Sequence, residues 1–191
     1  MRVIAGSAGG LRLAVPKSRV RPTMDRVKAA IFSSLGGAII DARVLDLFAG
    51  SGALGIEALS RGAASVLFVE EDRQSTEAIE KNLAKSKLGG RVRRQEVFEF
   101  LRRSAGLERF QIIFADPPYE KTKSGERFTE KLLTNKELAQ LLELGGVFVL
   151  EKRPAEKVSE TELWRVVRRR KYGATEVLFL SAVRNPESAI Q

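Results

Sequence analysis

The sequence predicts an α/β fold with a mostly parallel central sheet, helices on both faces, a C-terminal antiparallel hairpin and a small N-terminal hairpin-and-helix appendage. Three observations predict it. Short apolar runs alternate with helix-like segments over residues 44–151, which favours parallel strands joined by helices. Most of those runs are continuously apolar, as in strands buried on both sides, whereas RVRRQ (91–95) is a weaker strand signal. Two further strand-like runs near the end flank Gly173, which indicates a hairpin.

The N-terminal segment follows a different pattern. Residues 2–15 contain two short strand-like pieces around a glycine pair, which predicts a hairpin. After a basic connector, Thr23 is a plausible N-cap for a helix with apolar residues at helical spacing up to Leu35. A second glycine pair predicts the end of this helix. We therefore divide the chain into an appendage, residues 1–40, and a main domain, residues 41–191.

The main domain continues with regular alternation. Its predicted strands are 44–48, 65–70, 91–95, 110–115 and 146–151. Its predicted helices cover 53–62, about 73–87, a short segment ending near residue 103, and about 127–144. The predicted terminal hairpin pairs 164–173 with 175–183.

The net charge of +9 is concentrated at the two ends of the chain. Residues 1–40 contain seven basic residues and one acidic residue, whereas residues 41–150 contain 17 of each sign. Residues 151–191 add nine basic and six acidic residues. This uneven distribution favours a polyanionic partner that contacts the N-terminal segment, although basic surface residues also serve solubility alone.

Several classes of chemistry are excluded by composition. The chain has no cysteine and no histidine, so it has no disulfide, no Cys/His zinc site and no Ser-His-Asp triad. The longest uncharged run, residues 29–40, is too short to span a bilayer, and the N-terminus does not resemble a secretory signal. We expect a cytoplasmic, monomeric protein without a metal.

A glycine-rich loop follows the first strand of the main domain. Gly50, Gly52 and Gly55 form the pattern G-x-G-x-x-G, and Glu70 closes the next strand 20 residues after Gly50. Such a loop lets a ligand approach the backbone closely, and such an acid accepts hydrogen bonds from ribose hydroxyls. Both features fit NAD or any other adenosine cofactor. A plain tight turn with a solvated glutamate is the alternative.

Asp46 distinguishes between these cofactors. It lies inside an apolar strand, where a buried charge is costly without a partner. A cofactor with an ammonium group, such as S-adenosylmethionine, would supply the missing cation. The loop also lacks a basic residue that could meet a pyrophosphate.

A second motif, Asp116-Pro117-Pro118-Tyr119, stands at the end of the fourth strand. Two prolines fix the backbone and leave a carboxylate, carbonyl groups and an aromatic ring. The Asp116 side chain and the Pro117 carbonyl suit the two N–H groups of an exocyclic amine, and Tyr119 suits the face of a base. A rigid proline turn with a surface tyrosine is the alternative interpretation.

The chain resembles the S-adenosylmethionine-dependent methyltransferases of Rossmann-like fold, and within them the RsmD-type family of 16S rRNA guanine-N2 methyltransferases. The resemblance is collinear over nearly the whole chain. It depends on RVIAGSAGGLRL at the start, RPTMDRVKAAIF (21–32), LDLFAGSGALGIEALSRGA (45–63), VEED (69–72), FADPPY (114–119) and KYGATEVLFL (171–180).

The resemblance implies roles for individual residues. The cofactor S-adenosyl-L-methionine is expected to be bound by Asp46, Phe48, Ala49, Gly50, Ser51, Gly52, Glu70, Glu96 and Val97. The target amine is expected to be held by Asp116, Pro117, Pro118 and Tyr119. The implied substrate is 16S rRNA or the assembling small ribosomal subunit. Candidate RNA contacts are Arg2, Arg12, Lys17, Arg19, Arg21, Arg26 and Lys28.

Two other functions stay open at this point. A DNA adenine-N6 or other nucleic-acid amino-methyltransferase shares the D-P-P-Y motif, although such enzymes usually have a larger target-recognition region. A non-catalytic RNA-binding factor for ribosome assembly would retain the same sequence pattern without turnover. Cytosine-C5 and uracil-C5 methyltransferases are excluded because they need a cysteine nucleophile.

Overall fold

Seven strands form one mixed sheet in a computed structural model that describes residues 1–16, 25–118, 127–156, 158 and 162–183. The strands are β1 Arg43–Leu47, β2 Ser65–Glu70, β3 Arg91–Arg94, β4 Phe110–Ala115, β5 Leu142–Lys152, β6 Trp164–Tyr172 and β7 Thr175–Ala182. Their order is β3-β2-β1-β4-β5-β7-β6. Strands β1 to β5 are parallel to one another, and β7 is antiparallel to both β5 and β6. The predicted fold class and terminal hairpin are confirmed.

Among the described residues, six α-helices connect or precede these strands. They are α1 Asp25–Leu35, α2 Ala53–Ser60, α3 Arg73–Ser86, α4 Val97–Ser104, α5 Phe128–Leu133 and α6 Lys136–Leu141. A 3-10 turn over Gly36–Ile39 follows α1. None of the helices in the described ranges is both long and apolar enough to cross a membrane. The predicted N-cap Thr23 lies outside the described residues.

The prediction of one helix over 127–144 is wrong. The helix is interrupted, and α6 begins after Asn135. The Asn135 side-chain oxygen accepts the amide of Leu138 at 2.6 Å and is the N-cap of α6. Asparagine favours this position over a helix interior because its side chain satisfies a free amide at the first turn. Strand β5 then begins at Leu142, four residues before the predicted start.

The sheet has two apolar faces, each covered by different helices. Alternate strand residues, such as Val44 and Phe114, pack with α1, α2 and α3. The intervening residues, such as Leu45 and Ile113, pack with α4, α5 and α6. We call these the α1 face and the α4 face of the sheet. This alternation assigns every strand side chain, including the polar ones, to one face.

The N-terminal segment lies on the α1 face. Arg2 and Arg12 form a single antiparallel bridge, and the amide of Val3 donates to Leu11 O at 2.9 Å. The predicted hairpin is therefore present in a shorter form. Val3 and Leu13 are buried in the same apolar cluster as α1 and α2, so the segment shares a core with the sheet.

A buried ion pair fastens this segment and α1 to α2. Lys28 Nζ lies 3.1 Å from Glu57 Oε2, and both side chains are 0% exposed. The Glu57 carboxylate also accepts the amides of Ile4 at 2.6 Å and Ala5 at 3.0 Å, and Arg61 Nε at 2.7 Å. Burial lowers the pKa of Lys28, and the adjacent Glu57 charge opposes that shift. One carboxylate therefore joins four donors from three parts of the chain.

We expect Glu57→Gln to lower the free energy of unfolding by about 3–5 kcal/mol, because it leaves the Lys28 ammonium buried without its counter-charge. Urea denaturation monitored by circular dichroism measures the loss. Glu77→Gln is the matched control, since Glu77 forms an exposed i,i+4 pair with Arg73 and its loss costs roughly 0.5 kcal/mol or less. Similar losses for the two variants would contradict the importance of the buried carboxylate.

Candidate active site

Acidic residues mark the edge of the sheet where the parallel strands end. Asp46 lies in β1, Glu70 ends β2, Glu96 follows β3 and Asp116 follows β4. Asp46 is paired with Phe114, two residues before Asp116, so both aspartates belong to the α1 face of neighbouring strands. In open α/β sheets, ligands bind at this edge. The structure therefore brings the two predicted motifs together.

Residues 49–52, which we call the glycine loop, connect β1 to α2. The backbone has positive φ values at Phe48 (55°), Gly50 (55°) and Gly52 (75°), a conformation that favours glycine. The Gly50 amide donates to Glu70 Oε2 at 2.8 Å, and the Asp72 amide donates to Glu70 Oε1 at 2.9 Å. Glu70 thus holds the loop against the end of β2. Each of its oxygens retains a second lone pair for another donor.

Gly55 has a packing role. A Cβ atom added to Gly55 would lie 2.2 Å from the ring of Phe68 in β2, so only glycine lets α2 pack this closely on the strand. At Gly52, an added Cβ would lie 3.2 Å from Ile79 of α3. The spacing of the glycines therefore reflects both the turn and the contact between helix and sheet.

The Asp46 carboxylate is buried at the base of the loop. Its Oδ2 atom accepts the Gly55 amide at 2.9 Å. Burial raises the pKa of Asp46 well above its ordinary value, the Gly55 hydrogen bond opposes the shift, and the charges of Asp116 and Glu70 increase it. A cation placed here would be stabilised by these carboxylates. The donor set therefore fits a positively charged cofactor.

Glu96 and Val97 lie at the start of α4. The Glu96 carboxylate is the N-cap of this helix and accepts the amides of Phe98 at 2.9 Å and Glu99 at 2.7 Å. Val97 is buried in the core of the α4 face. The direct structural role of Glu96 is thus to fix the first turn of α4, and with it the position of Phe98.

An aromatic cluster beside the loop escaped the sequence analysis. The ring of Phe48 lies 5.4 Å from Phe128 and 6.4 Å from Phe98, measured between ring centroids. Phe98 and Phe128 are nearly parallel at 6.2 Å, with the Lys131 ammonium 5.6 Å from the Phe98 centroid. These rings come from three separate segments and form an apolar wall on the α4 side of the candidate site. The sequence predicted a cofactor contact for Phe48 but did not indicate that the three rings meet.

The D-P-P turn follows β4 directly. Asp116 is half-buried, Pro117 is buried and Pro118 is exposed. Neither proline is preceded by a cis peptide bond. Tyr119 lies outside the described residues.

No group of three or more carboxylates in the described ranges is arranged to hold a metal ion.

The predicted RNA contacts fall into three groups: exposed residues, residues outside the described ranges, and the buried Lys28. Arg2, Arg12 and Arg26 are exposed. The first two form the bridge of the N-terminal segment, and Arg2 Nε also lies 3.4 Å from Asp25 Oδ2. Lys17, Arg19 and Arg21 lie outside the described residues.

Lys28 is placed differently from its prediction. Its ammonium is fully buried, pairs with Glu57 and donates to the carbonyl of Arg2. A side chain with no exposed surface is unable to reach a phosphate, so the predicted RNA contact of Lys28 is wrong. The basic residue serves instead to attach α1 to α2.

Asn82 of α3 connects the N-terminal segment with the glycine loop. Its Nδ2 atom donates to Ala14 O at 2.9 Å and to Ser51 O at 3.0 Å, and its Oδ1 atom accepts the Ala14 amide at 2.7 Å. Ser51 Oγ also lies 3.3 Å from Met1 Sδ. Both Asn82 and Ser51 are buried. The amide thus fixes the loop and the appendage relative to each other.

We expect Asn82→Asp to lower the free energy of unfolding by about 1–3 kcal/mol, because both donors are lost and a carboxylate faces two carbonyl oxygens. We also expect weaker binding of S-adenosylhomocysteine, the product of the implied cofactor, measured by calorimetry. Asn135→Asp is the matched control, since either residue is a good N-cap. Unchanged stability and binding in Asn82→Asp would show that the loop does not depend on this amide.

Comparison with known proteins places this chain in a family. The family model described as "Conserved hypothetical protein 95" matches residues 1–181. The "Putative rRNA methyltransferase YlbH" of Bacillus subtilis is 40% identical over 182 residues, covering 93% of this chain and 96% of that protein. Ribosomal RNA small subunit methyltransferase D of Escherichia coli is 44% identical over 123 residues, which cover 63% of this chain and 61% of that protein.

Solved structures agree with the sequence matches. The "Putative methyltransferase yhhF" of Escherichia coli has a TM-score of 0.79 at 34% identity, covering 95% of this chain and 97% of that chain. The 16S rRNA N2 methyltransferase RsmC of Thermus thermophilus, solved with AdoMet and guanosine, has a TM-score of 0.70 at 27% identity, covering 88% of this chain and 44% of that chain. The chain therefore belongs to the conserved hypothetical protein 95 family, the RsmD family of S-adenosylmethionine-dependent methyltransferases.

Proposed function

We propose that this protein transfers a methyl group from S-adenosylmethionine to the exocyclic N2 amine of a guanine in 16S rRNA. The observation that supports this most directly is the placement of the D-P-P turn. Asp116 and Pro117 follow β4 on the strand next to Asp46, at the edge where a ligand binds such a sheet. The names of the RsmD relatives point to small-subunit rRNA as the substrate class.

The cofactor would be held by residues of the first two strands and the loops after them. Asp46 is the candidate partner for the ammonium group, because its carboxylate is buried among other negative charges. Glu70 would accept ribose hydroxyls through the lone pairs that the Gly50 and Asp72 amides leave available. The cofactor supplies a methyl group on a sulfonium, which is already a good leaving group.

The chain itself would position the amine. Asp116 and the Pro117 carbonyl accept its two N–H groups and aim the nitrogen lone pair at the methyl carbon. Tyr119 is proposed to stack on the extruded base. The amine nitrogen forms the new C–N bond as the S–C bond breaks, and the nitrogen then releases one proton to water. No covalent enzyme intermediate is required.

The appendage is proposed to bind RNA. Arg2, Arg12 and Arg26 are exposed, and Lys17, Arg19 and Arg21 belong to the same basic segment. Such residues would contact phosphates and supply affinity without selecting a base. Residues 1–40 are thus proposed as an RNA-facing unit, although they share a core with the sheet.

A label-transfer assay tests the substrate. Labelled S-adenosylmethionine is mixed with unmethylated 16S rRNA, with small subunits assembled from it, and with duplex DNA, and the product nucleoside is identified by mass spectrometry. We expect N2-methylguanosine in one of the two RNA samples. N6-methyladenine in DNA would replace the proposed substrate, and no label together with no cofactor binding would favour a non-catalytic RNA-binding factor.

We expect Asp116→Asn to lower kcat by roughly 100-fold or more, because the neutral amide lacks the negative charge that stabilises the positive charge developing on the attacking amine. The Kd for S-adenosylhomocysteine should stay within about twofold. The matched control is Asp41→Asn, because Asp41 is exposed and its φ of 58° is tolerated by asparagine. Parallel losses of turnover and cofactor affinity in Asp116→Asn would assign the residue to cofactor binding instead.

A further inference from the structure

The edge strand β6 is strongly basic and has no role in the proposed chemistry. Five of its nine residues are cationic: Arg165, Arg168, Arg169, Arg170 and Lys171. Residues 165–171 are all exposed. Charged residues on an edge strand discourage pairing with other chains, which is the ordinary explanation for such a run. That explanation does not depend on which face of the sheet each charge occupies.

The pairing register assigns these cations to opposite faces. Arg168 pairs with Phe179 and Arg170 pairs with Val177, and the side chains of both partners belong to the α1 face. Directly paired residues of antiparallel strands share a face. Arg168 Nη1 also lies 3.5 Å from the carbonyl of Ser34 at the end of α1. Arg168 and Arg170 therefore lie on the α1 face.

Arg169 and Lys171 lie on the α4 face. Arg169 pairs with Leu178 and Lys171 pairs with Glu176. The carboxylate of Glu176 lies 3.8 Å from Arg169 Nη1 and 2.6 Å from the buried Lys152 ammonium. This pair thus lies next to a carboxylate.

Within the described part of the chain, no carboxylate forms an ion pair with Arg168 or Arg170. The two side chains are exposed and positively charged, and they share a face with the basic N-terminal segment. A polyanion bound on this face would therefore meet the cations of β6 as well as those of the N-terminal segment. The α4-face pair offers no such arrangement.

Arg170 also lies level with the D-P-P turn, on a row of paired residues that runs across the strands of the sheet. Ala115 pairs with Leu150, so Asp116 and Glu151 are the next positions on adjacent strands. Glu151 pairs with Val177, and Val177 pairs with Arg170. Three strand spacings separate Asp116 from Arg170, which is about 14 Å along the row. Arg170 would therefore lie near the phosphates that flank a base held at the D-P-P turn.

We propose that Arg168 and Arg170 form a second phosphate-binding surface for the RNA substrate, on the edge strand beside the C-terminal end of α1. The inference rests on the proposed function and extends it, because it assigns RNA contacts to one face of an edge strand. The α1-face pair would contact phosphates a few nucleotides from the target guanine, while Arg169 and Lys171 would not.

The test compares two double variants with equal loss of charge: Arg168→Gln with Arg170→Gln, and Arg169→Gln with Lys171→Gln. Binding of an unmethylated 16S rRNA fragment is measured by fluorescence anisotropy at several salt concentrations. We expect the α1-face variant to reduce the slope of log K against log salt by about 1.5 and the affinity by about 30-fold at 0.1 M salt. The α4-face variant should keep the wild-type slope. Thermal unfolding confirms that each variant folds, and the single variants replace any double variant that does not.

The outcomes separate this inference from the proposed function. Wild-type methyl transfer with equal losses in the two double variants, or a larger loss in the α4-face variant, overturns the second surface and leaves the function standing. Absence of both RNA binding and methyl transfer in the wild-type protein overturns the proposed function and this inference together. A selective loss in the α1-face variant, with Kd for S-adenosylhomocysteine unchanged, supports the second surface.

Discussion

The buried carboxylate of Glu57 is the interaction on which the arrangement of the α1 face depends. It receives Lys28, Arg61 and two amides of the N-terminal segment, so α1, α2 and the appendage converge on a single acidic group. Such a pair adds little net stability by its attraction alone. Removing one partner is costly because the other charge is then buried without a counter-charge. Because α2 begins directly after the glycine loop, the same contact fixes the position of the loop relative to the appendage.

Asn82 and Gly55 complete this arrangement by different means. The Asn82 side chain donates hydrogen bonds to the carbonyls of Ala14 in the N-terminal segment and of Ser51 in the glycine loop. Gly55 brings α2 into direct contact with Phe68 of β2, where any side chain would collide with the ring. The glycine loop is therefore held from the appendage, from α3 and from the sheet. A loop with positive φ values at Phe48, Gly50 and Gly52 needs such support to keep one conformation.

The sequence predicted the parallel strands well because both faces of each central strand are buried, which leaves an uninterrupted apolar run such as 65–70. It also predicted the two motifs at the sheet edge, since topology alone brings the ends of neighbouring parallel strands together. The contacts of Lys28 and Asn82 were missed because their partners lie 29 and 68 residues away. A signal existed for Asn82, a polar residue between Ile79 and Leu83 on the apolar side of α3. The Glu96 cap was missed because glutamate is not among the usual N-cap residues.

Negative and positive charges occupy different parts of the sheet edge. This separation fits a substrate that has charged phosphates and uncharged bases. Burial raises the pKa of Asp46, and the nearby charges of Asp116 and Glu70 raise it further. Such a cluster attracts a cationic cofactor and repels phosphates. The exposed arginines lie outside it, in the N-terminal segment and on β6. Phosphates would therefore be drawn to the flanks, and only an uncharged base would enter the acidic centre. The field of the protein would thus orient the RNA before any hydrogen bond to the base forms.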